Sequence, residues 1–170
     1  MYKRQILILS ILSYQLFLNL NEKKLEASSH QFFMALEKLE NKKYEESSKI
    51  FLKSSNEPHG GYRVMSLFGL AETNYKIGKI REMALNYKTI YEDVNIGLYY
   101  RNLSRLLSVM KDNISTFEQQ ISILKPILNS PSKLQLLAAE LEVILHIRSD
   151  NLNEAKTKLC LLYTSPSPRD

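Results

Sequence analysis

Cysteine is almost absent from this sequence: there is one, Cys160. A lone thiol closes no intramolecular disulfide and builds no thiolate metal site, and it leaves the redox compartment open. Histidine is equally sparse. His30, His59 and His146 are scattered, with no H-E-x-x-H spacing and no companion ligands, so they imply no metal and read as solvated or satisfied side chains. Charge of one sign is lacking too, since 23 basic against 18 acidic residues leave a mild net +5. Neither nucleic acid nor an acidic substrate is implied. Glycine is scarce, and the Gly60-Gly61 pair is followed by no G-x-x-x-x-G-K, so it is read as a connector between helices and not as a phosphate loop. Nor does any stretch show the period-two alternation of a half-buried strand.

The two ends bear on everything between them. Residues 160–170 break off in mid-helix with an unrelated composition, and they can be encoded by a sequence that resembles a common transposon-based sequencing adapter. Residues 1–5 can be encoded by the inverted repeat of that adapter's opening. The expectation is therefore that residues 1–5 and 160–170 are adapter-derived, and such scars are set apart before the fold is read. Without Lys3, Arg4 and Arg169 the basic count falls from 23 to 20, and without Asp170 the acidic count falls from 18 to 17. Net charge drops to +3, and the native part then has no cysteine.

Ile6–Leu20 is the one long apolar run, uncharged and interrupted only by Ser, Tyr, Gln and Asn. It is shorter than the roughly 20 residues a span requires. Residues 6–21 are read as the second part of a truncated transmembrane anchor, with a signal-peptide core or a buried helix as the alternatives. Asn21-Glu22-Lys23-Lys24-Leu25-Glu26 follows the run without a small-residue cleavage site, which favours retention.

From there apolar residues recur at three and four, predicting helices over Glu22–Asn41, Tyr44–Ser54, Tyr62–Ile77, Ile80–Glu92, Gly97–Lys111, Ser115–Leu128, Ser132–Arg148 and Leu152–Leu159. Turn-favouring residues fall between them: Pro58-His59-Gly60-Gly61, Gly78, Asp112-Asn113, Asn129-Ser130-Pro131 and Ser149-Asp150-Asn151. Pro126 is expected to kink or shorten the last turn of its helix. Acidic pairs such as Glu45-Glu46 favour a helix start and carry no acid/base chemistry.

An internal repeat decides the architecture. Tyr44/Ser47/Phe51, Ile80/Met83/Tyr87, Ile114/Phe117/Ile121 and Leu152/Ala155/Leu159 share the spacing 0, 3, 7, which is one face of a helix. Their first residues recur close to the 34-residue tetratricopeptide period. Ala35 and Ala71 supply small residues where helices approach. The third unit is irregular, with Phe117 and Arg105 at positions expected to be small. The fold class predicted for residues 22–159 is all-α, a tetratricopeptide-like solenoid of about four hairpins, in which each repeat buries its apolar face against a neighbour.

Residues from about Gln31 to Leu159 resemble the tetratricopeptide domain shared by ancillary SecYEG translocon subunits and cell-division coordinators, in its alphaproteobacterial form. The resemblance rests on Gly61-Tyr62-Arg63 opening a helix that ends at Ile77-Gly78-Lys79. Leu98-Tyr99-Tyr100-Arg101-Asn102-Leu103-Ser104-Arg105-Leu106 and Leu124-Lys125-Pro126-Ile127-Leu128 follow, before the D-N-L-x-x-A turn at Asp150–Ala155. The chain departs from the family in carrying Lys, Asn, Ile and Ser where Ala is usual. What the resemblance implies is a non-enzymatic, single-pass protein of the bacterial inner membrane. Its repeats would lie in the periplasm and bind proteins or peptides: Sec translocon components, periplasmic chaperones or envelope proteins.

No cofactor and no nucleic acid is expected. The alternatives are an exported periplasmic adaptor in envelope assembly or cell division, and a regulatory domain of a larger enzyme. In the repeat register the first helix of each hairpin lines a concave face, which would carry Phe32, Phe68, Glu72, Tyr75, Tyr99, Asn102 and Arg148. Aromatic and Arg side chains are common anchors at interfaces. Aromatics at helical spacing are also common core residues, and the pattern leaves both roles open.

Overall fold

The computed structural model describes residues 2–56 and 60–164, which form eight α-helices and no strand. They are α1 (Tyr2–Glu40), α2 (Tyr44–Ser55), α3 (Gly60–Ile77), α4 (Ile80–Glu92), α5 (Leu98–Lys111), α6 (Phe117–Leu128), α7 (Gln135–Arg148) and α8 (Leu152–Thr164). All eight expected helices are present, most with ends within a residue or two of expectation.

Several details differ. The expected anchor and the first repeat helix are one continuous helix, because nothing between Leu20 and Glu22 interrupts the backbone ladder. Gly60 and Gly61 open α3 and do not connect two helices. Glu57, Pro58 and His59 lie outside the described residues, as do Met1 and residues 165–170. Pro126 lies inside α6, which ends at Leu128 as expected. α8 passes the expected native boundary at Leu159 and reaches Thr164.

Three of the four turns inside hairpins share one construction. Lys42, Gly78 and Asp150 each take a positive φ of 60, 85 and 59°. The following N–H reaches back to the last turn of the helix: Lys43 to the Lys38 carbonyl at 2.8 Å, Lys79 to that of Asn74 at 2.8 Å, Asn151 to that of His146 at 2.9 Å. This is the Schellman arrangement, which satisfies helix-end carbonyls and turns the chain back. In each case the next helix starts two residues later.

The third turn is built differently. The Asp112 carboxylate accepts the N–H groups of Ile114 and Ser115 at 2.9 and 3.1 Å. Thr116 then caps α6 in a reciprocal box with Gln119. This moves the start of α6 to Phe117 and corrects the repeat. Helices α2, α4, α6 and α8 start 36, 37 and 35 residues apart. Ile114 lies outside the helix and is exposed. The third triplet is Phe117/Gln120/Leu124 and not Ile114/Phe117/Ile121, with Gln120 and Leu124 buried. In the corrected register the counterpart of Ala35 and Ala71 is Ser108, which is small and buried as they are. Arg105 is therefore not at that position, and the first-helix irregularity expected of the third unit disappears.

The chain divides into two compact units, residues 1–73 and 74–170. In the first, α1 and α2 pack as a hairpin. Phe32, Ala35, Phe51 and Leu70 form its core, with Tyr62 against them. The rings of Phe51 and Tyr62 each lie 5.8 Å from that of Phe32. Close approach of α1 and α2 is fixed by the buried Ser47 hydroxyl, which donates to the Ala35 carbonyl at 2.8 Å.

In the second unit α4 packs on α5, α5 on α6, α6 on α7 and α7 on α8, and the two first helices α5 and α7 also meet. That pattern is compatible with a helical-repeat solenoid. Its core joins Leu106, Val109, Leu124, Ile127, Leu134, Ala138, Leu141 and Leu145. The Ser104 hydroxyl ties α5 to α4 by donating to the Tyr87 carbonyl at 2.6 Å.

Among the described residues no helix is long and apolar enough to cross a membrane. The run expected to be the second part of such a span, residues 6–20, would by itself rise only about 22 Å as helix against a hydrocarbon core of about 30 Å.

Candidate functional site

The C-terminal ends of the first helices bring chemistry together in the second unit. A cleft of about 460 Å³ opens there, between the last turns of α3, α5 and α7 and the 112–116 turn. Pockets that take small ligands or single side chains span roughly 300–1,000 Å³. Tyr75, Lys111 and Arg148 come from three different hairpins, while Met110, Phe117 and Leu145 give an apolar lining. Asn113, Ser115 and Ser149 add amide and hydroxyl groups.

The 112–116 turn holds this geometry. Asp112 is buried, and its carboxylate is engaged by two backbone N–H groups of its own turn. Its carbonyl accepts the Gln120 side-chain amide at 2.9 Å. The Lys111 ammonium stands 4.7 Å from the centre of the Tyr75 ring, a cation–π contact that orients both groups. Below, the Phe117 ring packs 4.8 Å from that of His146, a buried histidine whose Nδ1 has no hydrogen-bond partner among the described residues. Next to the turn, the Glu118 carboxyl is held below its ordinary range by its own backbone N–H and then by the Thr116 hydroxyl.

Of the residues expected on a concave face, Tyr75 and Arg148 line the cleft. Phe32 is a core residue of the first unit at 5% exposure. Asn102 is also buried, at 3%, and its side-chain oxygen accepts from Arg105. Neither offers surface to a partner, so the aromatic at 32 serves packing. Phe68 and Glu72 are half-buried in the first unit. Tyr99 is exposed on α5, edge-on to Tyr100. The expectation missed Lys111, Asp112, Asn113 and Phe117. No sequence signal marked them, because the third turn reaches five residues only through the start of α6 at Phe117.

Chemically the cleft combines two cationic side chains with an apolar lining. Lys111 and Arg148 can meet carboxylates or backbone carbonyls, and the apolar lining can hold one or two side chains. Comparison with known proteins does not narrow the partner: no family model, curated protein or solved structure matches the chain.

Proposed function

We propose that the chain is a non-enzymatic scaffold of tetratricopeptide-like hairpins that holds a segment of another protein in the cleft between α3, α5 and α7. The observation that carries this reading is the convergence of Tyr75, Lys111 and Arg148, contributed by three successive hairpins at equivalent helix ends. A repeat stack places side chains of different hairpins side by side, which suits it to gripping an extended chain.

The setting proposed is the periplasmic side of the bacterial inner membrane, with the protein as an ancillary subunit of the Sec translocon. The sequence resemblance supports that setting, and so does the first helix. Tyr14, Leu16, Phe17, Leu18 and Leu20 are all exposed and form one broad face of α1, with Gln15 and Asn19 on the other side. An exposed apolar face of that breadth favours a low-dielectric surrounding such as lipid. Purification from membranes through an affinity tag is expected to enrich translocon components. Recovery at the level of an untagged control would sink the translocon assignment, and enrichment of division or envelope-assembly proteins in their place would favour the adaptor reading.

A further inference from the structure

The link between α4 and α5 displays an apolar side chain where turns are ordinarily polar. The Asp93 carboxylate accepts the backbone N–H of Asn95 at 3.0 Å and its side-chain amide at 3.1 Å. The Ile96 N–H donates to the Asp93 carbonyl at 3.1 Å, and the Ile96 side chain is buried. Val94 is thereby held at the tip, 77% exposed, the most exposed large apolar residue among those described. Leu98, Tyr99 and Tyr100 open α5 beside it and are exposed too, with the tyrosine rings edge to face at 5.7 Å.

Behind this tip stand two arginines. Leu98, Arg101 and Arg105 are spaced 0, 3 and 7, so they share one face of α5. Arg101 Nε and a terminal nitrogen of Arg105 both donate to the Tyr91 carbonyl at 3.3 Å. Among the described residues neither guanidinium has a carboxylate within ion-pair distance, and Glu92 pairs with Lys88 at 3.7 Å. Burial, and then the neighbouring Arg101 cation, hold Arg105 below the ordinary guanidinium range. An anion beside the pair offsets both effects.

From this layering we infer that the α4–α5 turn docks on an anionic lipid surface, with Val94 and Leu98 entering the acyl boundary and Arg101 and Arg105 meeting lipid phosphates. Along α5 the rise from Leu98 is about 4.5 Å to Arg101 and about 10 Å to Arg105. Long helical side chains lean toward the helix N-terminus, so both guanidiniums reach back to the headgroup layer. Tyrosine is enriched at that level of a bilayer. A second copy is a poor occupant, because a symmetric contact sets the arginine pair against its own counterpart. Neither the cleft nor α1 takes part in this contact.

The chain contains no tryptophan, so one placed at position 94 reports this turn alone. The test adds phosphatidylglycerol vesicles to the purified full chain carrying Val94→Trp and reads its emission. α1 can hold the chain to vesicles by itself, so binding of the whole chain is not the readout. A blue shift is expected, with quenching by lipids brominated near the headgroup. Leu85→Trp, exposed in the middle of α4, is expected to give neither. Leu98→Asp, or Arg101→Gln with Arg105→Gln, is expected to raise the lipid needed for half of the shift about tenfold or more. Leu98 is exposed and an acidic residue suits a helix start, so Leu98→Asp is expected to melt like the parent. Emission at position 94 that is indifferent to vesicles overturns the inference. So does a shift that Leu98→Asp or the paired arginine variant leaves unweakened. A shift that grows with protein concentration without lipid also overturns it, because a second copy would then cover the turn.

Discussion

Phe51 and Gly69 are packed so closely that the glycine's missing Cβ is what lets the ring lie flat under α3. An added Cβ would stand 2.5 Å from two ring atoms and 2.8 Å from a third. The ring itself is fully buried and cannot swing into solvent. Gly69→Ala is therefore expected to destabilise the first unit by ~1–3 kcal/mol, the usual range for overpacking a close-packed core. Chemical denaturation followed by circular dichroism checks this, and an unchanged midpoint would show that α3 does not lie on Phe51 as described.

The shared turn makes a paired prediction. Lys42 and Gly78 occupy the same left-handed position, one with a side chain and one without. Gly78→Ala is expected to cost ~1 kcal/mol, while Lys42→Gly is expected to gain up to ~1 kcal/mol, because only glycine takes that conformation without a Cβ clash. Denaturation midpoints moving in the same direction for both variants would contradict the equivalence of the two turns.

The corrected third repeat is testable by capping. Thr116→Ala removes half of the box that starts α6 and is expected to cost ~1 kcal/mol. Ile114→Ala, outside the helix and exposed, is expected to change stability by less than ~0.5 kcal/mol. The reverse order would restore Ile114 as the repeat position.

At the end of α4 the Tyr91 carbonyl accepts from Arg101 and Arg105, and the Arg105 guanidinium lies 5.0 Å from the centre of the Tyr91 ring. Burial, and then the Glu92 carboxylate, push the Tyr91 phenol above its ordinary range, while Arg105 pulls it down. A phenol with a raised folded pKa contributes stability that is complete below the unfolded value of roughly 10 and is lost as pH rises through the folded value. Tyr91→Phe is expected to lessen the fall in stability above about pH 10. Identical alkaline profiles for the variant and the parent would exclude this contribution.

The elements were legible because their signals are local: Gly78 and Asp150 punctuate the chain, and apolar spacing marks each helix. The third register was misread because Ile114 matches the repeat's first position by type. Its exclusion from α6 depends on the Asp112 and Thr116 hydrogen bonds, which no apolar pattern records. The site was less legible. Repeat register places a side chain on a face but does not say whether that face is covered, so Phe32 and Asn102 were expected outside and lie within. Lys111, Asn113 and Phe117 enter the cleft through the long third turn, whose path is set by backbone N–H groups and not by periodicity.

Photo-cross-linking from within the cleft bears most directly on the scaffold reading. A photoreactive phenylalanine analogue at position 75, in the membranes of cells expressing the full chain, is expected to form discrete adducts with translocon components. The same group at exposed position 125 on α6 is expected to form none of them. Lys111→Glu with Arg148→Glu should abolish the adducts at 75 while lowering the melting temperature by only a few degrees, the cost of two helix-end cations. Adducts that are the same from both positions, or none from position 75, would contradict the account.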